Sequence, residues 1–247
     1  MNEAMEIMND MQKWEESIKL AVKYNHPEAD NIKRQFYDWL IDSDQLDKAA
    51  EIKEQDGQFK EAIDLYLKGG YPVKAGNVIK NYNAKFDKEM IEQIINALLN
   101  VGIYEKAGEL LEILGQYKRA LEAFVEAKSY SKAVEVAKKH LPKLVEKLED
   151  EWGDWLMSQK QLEAAITHFI EAGSRTKAIE AAIGARKWDK AIELSNSINN
   201  ESARPYLSMI GDHFAMQRLT DTAEKYYLKA KEPVKAFNMY VKYGRWD

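Results

Sequence analysis

Apolar positions along the chain recur at a helical step. The local unit is an aromatic residue or Leu, two polar residues, Ala, and an apolar residue three or four positions later. Tyr117-Ala120-Phe124 and Trp188-Ala191-Leu194 are examples. This spacing lays one apolar stripe along a helix.

The unit also recurs over longer range. The most similar internal stretches are Asp38-Trp39-Leu40, Gln45-Leu46 and Ala49-Ala50 against Asp154-Trp155-Leu156, Gln161-Leu162 and Ala164-Ala165, offset by 116 residues. Half that offset is the true period. Ala49, Ala107, Ala165 and Ala223 are spaced by 58, and so are Ala4, Ala62, Ala120, Ala178 and Ala236. A third series runs Ser17, Ala75, Ala133 and Ala191. Trp14, Tyr130, Trp188 and Trp246 stand three residues before that series or its continuation, with Pro72 as the exception. Gly57, Gly115 and Gly173 mark the connections, and no insertion or deletion breaks the register.

Within a period the small residues stand 13 apart, and 32 residues separate the last from the next first. The pattern predicts four helices per period. A longer one covers 30–43, 88–101, 146–158 and 204–217, and three shorter ones start near 46, 59 and 72 and after each step of 58. The prolines test this register independently. Pro72 and Pro233 fall at helix starts, Pro27 and Pro142 in connections, and Pro205 in a first turn, so none is placed in a helix interior. The predicted fold is all-α: a right-handed α-solenoid of stacked helical hairpins, tetratricopeptide-like, with four helices per 58-residue period. One hairpin cannot bury its apolar face alone, and its neighbours complete the core. Gly153 and Gly211, also 58 apart, predict close approach in the long helices. Residues 1–247 are expected to form one solenoid segment, excised mid-period at both ends, with Ala4 in the third helix of a preceding period and Trp246 opening an incomplete helix.

Composition narrows the function classes. A net charge of -5 argues against nucleic acid, where affinity rests on cations neutralising phosphates. The absence of cysteine removes disulfides and thiolate metal sites. The most apolar stretch, Ile94 to Leu99, is far shorter than the ~20 residues a bilayer requires, and the first residues lack a secretory signal's apolar core. The expected compartment is cytoplasmic and non-secreted, without direct membrane contact.

No catalytic, cofactor-binding or metal site is expected. His26, His140, His168 and His213 have no partner at i, i+4, and neither GxxxxGK[ST] nor GxGxxG occurs. His213 aligns with Trp39 and Trp155, and His168 with Tyr226, so both read as packing aromatics. The tryptophans share repeat positions and read the same way. Glu149, Asp150, Glu151 and Asp154 crowd one helix and read as a solvated acidic start.

Basic residues precede many repeat alanines: Lys48, Lys74, Lys106, Arg119, Lys132, Lys177, Lys190 and Lys235. Six have Glu three residues on, at Glu51, Glu109, Glu122, Glu135, Glu180 and Glu193, so the expected ridge neutralises itself through local pairs.

Several stretches carry a family resemblance. They include Phe36-Tyr37-Asp38-Trp39-Leu40, Ala62-Ile63-Asp64-Leu65-Tyr66-Leu67-Lys68-Gly69-Gly70 and Gly102-Ile103-Tyr104-Glu105-Lys106-Ala107-Gly108. The most specific run passes from Glu151-Trp152-Gly153-Asp154 through Gln159-Lys160-Gln161-Leu162, Ala164-Ala165-Ile166 and Lys177-Ala178-Ile179-Glu180-Ala181-Ala182 to Gly184-Ala185-Arg186-Lys187-Trp188. From about residue 26 to Trp246 the chain resembles the solenoid of the intraflagellar transport protein 172 family, the largest peripheral subunit of intraflagellar transport complex B. The resemblance implies a non-enzymatic scaffold at the cilium or flagellum and its base. Its partners would be other transport-train subunits, with no nucleic acid, cofactor or small-molecule substrate. A vesicle-coat solenoid and a helical-repeat RNA binder are the alternatives.

Overall fold

The computed structural model describes residues 13–24, 26–82 and 85–244. Among these, sixteen α-helices and one short 3-10 turn at Pro142–Leu144 account for all regular structure, and no strand occurs. The positions of Ala4 and Trp246, and with them the expected partial helices at either end, lie outside the described residues. The chain divides into two compact units at residues 127 and 128.

The first unit holds α1 (Trp14–Lys23), α2 (Ala29–Asp42), α3 (Leu46–Gln55), α4 (Phe59–Lys68), α5 (Pro72–Asn81), α6 (Lys88–Asn100), α7 (Tyr104–Ile113) and α8 (Tyr117–Glu126). Each helix packs on the next, and α5 also reaches α7. The second unit holds α9 (Tyr130–His140), α10 (Val145–Ser158), α11 (Leu162–Glu171), α12 (Arg175–Gly184), α13 (Trp188–Asn196), α14 (Asn200–Met216), α15 (Thr220–Lys229) and α16 (Pro233–Tyr243). It repeats the arrangement, with α12 also touching α14. The fold is thus all-α and tetratricopeptide-like, built of successive helical hairpins.

The short helices start where the period places them, at 46, 59, 72, 104, 117, 130, 162, 175, 188, 220 and 233. The reason is packing. Ala49, Ala107, Ala165, Ala223, Ala62, Ala120, Ala178, Ala75, Ala133 and Ala191 are all fully buried, so any larger side chain there would separate neighbouring helices. Phe124, Phe169 and Tyr66 fill the space beside them.

One expectation fails. Pro205 lies inside α14 rather than in its first turn. The helix starts at Asn200 because the Asn199 side chain caps it, accepting the Ser202 N–H at 2.7 Å. Glu201 thereby loses the donor for its carbonyl, and its exposed position leaves that oxygen to water.

The connections obey a rule that only some of the glycines reveal. Among the described residues, positive φ occurs in three series spaced by 58: Asp44, Gly102, Lys160 and Arg218; Gly57, Gly115, Gly173 and Lys231; Gly70, Lys128, Arg186 and Gly244. The next N–H commonly bonds back five residues, as in Gln58 to Lys53, Gln116 to Leu111, Gln161 to Leu156 and Glu232 to Tyr227. These bonds are the six-to-one closure of a Schellman turn, which satisfies carbonyls at the helix end.

Candidate interaction surface

The long helices approach their neighbours where they lack a side chain. A Cβ on Gly153 would stand 2.5 Å from the Phe169 ring, and one on Gly211 would stand 2.8 Å from the Tyr227 ring. The two pairs are equivalent after one period, as the sequence spacing predicts. Gly108 receives Phe124 in the same way, at 2.8 Å.

A second recurring contact links several helices to the helix before their neighbour. Lys177 on α12 reaches past α11 to Asp150 at 2.7 Å and Asp154 at 2.8 Å on α10. One period on, Lys235 on α16 meets Ser208 at 2.6 Å and Asp212 at 3.5 Å on α14. One period earlier, Arg119 on α8 meets Glu92 at 2.9 Å on α6. In another series Lys74 on α5 holds Asp47 at 3.3 Å and Glu51 at 2.8 Å on α3. Lys177 also lies over the Phe169 ring, and Lys235 over that of Tyr227, so ring, glycine and clamp form one constellation.

These clamps shift the ionisation of their members. Burial pushes the Asp150 carboxyl up, but hydrogen bonds from Lys177 and Ser174 and the ammonium charge outweigh it and hold the carboxyl below its usual range. The bonds to Asp150 and Asp154 raise Lys177 in turn. Burial likewise pushes Glu92 up, while Arg119 and Gln116 hold it low overall.

The basic ridge is therefore neutralised differently from the local expectation. Lys106–Glu109 at 3.2 Å and Lys190–Glu193 at 2.8 Å form as predicted. Lys177 instead bonds α10, leaving Glu180 to accept the Tyr206 hydroxyl at 2.7 Å, and Arg119 bonds Glu92. Lys48 donates to Gln45 at 2.8 Å. An i, i+3 pair is visible in one helix. A clamp across two helices emerges only when charges 23 or 27 apart are aligned on the period.

The acidic start of α10 also differs from its solvated reading. The Glu149 side chain is only 5% exposed. It lies 2.8 Å from His168 Nδ1 on α11 and 3.7 Å from the Lys138 ammonium on α9. The α-helical turn that points Leu148 and Leu156 into the core carries Glu149 with them. His168, 19 residues on, is the one sequence signal that could have paired it.

Both histidines pack as aromatics. His168 stacks on Trp152 with centroids 3.8 Å apart, and His213 stacks on Trp188 at 3.9 Å. Trp14 with Phe36 and Trp39 in the first unit matches Tyr130 with Trp152 and Trp155 in the second, each ring displaced by 116 residues. The tryptophans thus mark repeat positions in the packing. Trp246 lies outside the described residues. Among the described residues no group of three His, Asp or Glu is gathered as a metal site, and no helix is long and apolar enough to cross a membrane.

Comparison with known proteins gives this geometry a family. No protein-family model matches the chain. It is 36% identical over 247 residues to intraflagellar transport protein 172 of Chlamydomonas reinhardtii, covering 100% of this chain and 14% of that protein. The homolog of Mus musculus is 39% identical over 99% of the chain, and intraflagellar transport protein osm-1 of Caenorhabditis elegans is 34% identical over 98%; 14% of each is covered. Among solved structures, a kinesin light chain with TPR-like repeats from Podosopora anserina aligns at TM-score 0.33 and 12% identity, covering 76% of this chain and 92% of that one. The chain spans about one-seventh of the length of the curated relatives it matches and belongs, as a segment, to the intraflagellar transport protein 172 family.

Proposed function

We propose that this chain is a non-catalytic protein-interaction scaffold, one continuous solenoid segment of an intraflagellar transport train subunit needed for cilium assembly. The observation that carries the reading is similarity, over nearly the whole of this chain, to proteins named for intraflagellar transport in several organisms. The unbroken 58-residue register from Ala62 to Ala236 supports treating the chain as one array. Its partners are other train subunits, and its place is the cytoplasmic compartment of the cilium or flagellum and its base. It takes no nucleic acid and no small-molecule substrate, and makes no direct membrane contact.

A stable protein interface removes about 1,200–2,000 Å² from water, and helix faces supply such an area without a catalytic pocket. The test is affinity capture with the tagged chain from ciliated cells, identified by mass spectrometry. Specific retention of transport-train subunits is the expected result. Retention of vesicle-coat subunits instead, or tight RNA binding with a steep salt dependence, would overturn it.

A further inference from the structure

We draw no further inference here: the strongest candidate, the exposed apolar patch of Val234, Phe237 and Val241 on α16, stands beside residues 245–247, which lie outside the described residues, so nothing in the structure shows what covers it.

Discussion

Lys177 and Asp150 stand 27 residues apart in sequence and 2.7 Å apart in space, joining α12 to α10 across the intervening helix. The contact gives the second unit a measurable acid response. The Asp150 carboxyl is held low in the folded state, so its contribution is present above the ordinary aspartate value and is lost as pH falls through the depressed one. Lys177→Ala should therefore lower stability at neutral pH by about 1 kcal/mol or less, because both side chains are partly exposed. The gap between parent and variant should close as pH falls below about 4. Urea denaturation at a series of pH values measures it. A gap that stays constant down to about pH 2 would exclude the clamp as its source.

Two glycines in helices should respond oppositely to alanine. Gly153→Ala drives a methyl to within 2.5 Å of Phe169 and should cost about 1–3 kcal/mol. Gly76→Ala meets Leu110 at an ordinary 3.5 Å and should be neutral or stabilising by up to about 1 kcal/mol, from helix propensity alone. Thermal melts of the two variants decide the matter, and equal destabilisation would refute the packing assigned to Phe169.

The Glu149–His168 pair predicts a non-additive result. His168→Phe retains a ring beside Trp152 but removes the 2.8 Å partner of a buried carboxylate, and should cost about 1–3 kcal/mol. Adding Glu149→Leu removes the carboxylate, left with only the Lys138 ammonium at 3.7 Å, and should recover most of that loss. A double-mutant cycle in which the two changes simply add would show that the residues do not interact.

The left-handed connection residues offer a gain. Lys160 has φ of 60°, a conformation that costs a side-chain-bearing residue about 1 kcal/mol relative to glycine. Lys160→Gly should raise the melting temperature, whereas Gly173→Ala at an equivalent turn, with no atom near its Cβ, should lower it through backbone strain alone. Calorimetry on both variants checks the sign.

Much of the fold was legible because the repeat writes its closest contacts as small residues. Ala178 and Ala120 must be small for two helices to touch, and the same constraint returns every 58 residues. The tryptophans declared themselves for the same reason. The ionic partners did not. Lys177 has Glu180 at the local pairing distance, and its choice of Asp150 depends on where α10 lies, which no single helix records. Glu149 looked solvated because three further acids surround it, although helical rotation places it beside the core. Asp44, Lys128, Lys160, Arg186, Arg218 and Lys231 occupy left-handed turns without glycine, so composition hid six of the positions that complete the connector series.

Those connectors leave no slack. The turns that lead into the short helices reverse the backbone at one left-handed residue and resume helix two residues later, at Leu46, Tyr104, Leu162 and Thr220 alike. A run of short helices joined this way has fixed graduations. A deletion of 58 residues taken in register returns every helix to a neighbour of its own kind. Removal of a few residues within a turn shifts all later helices against the faces they were shaped to meet. Within each unit, the run of short helices is thus adjustable only in whole graduations.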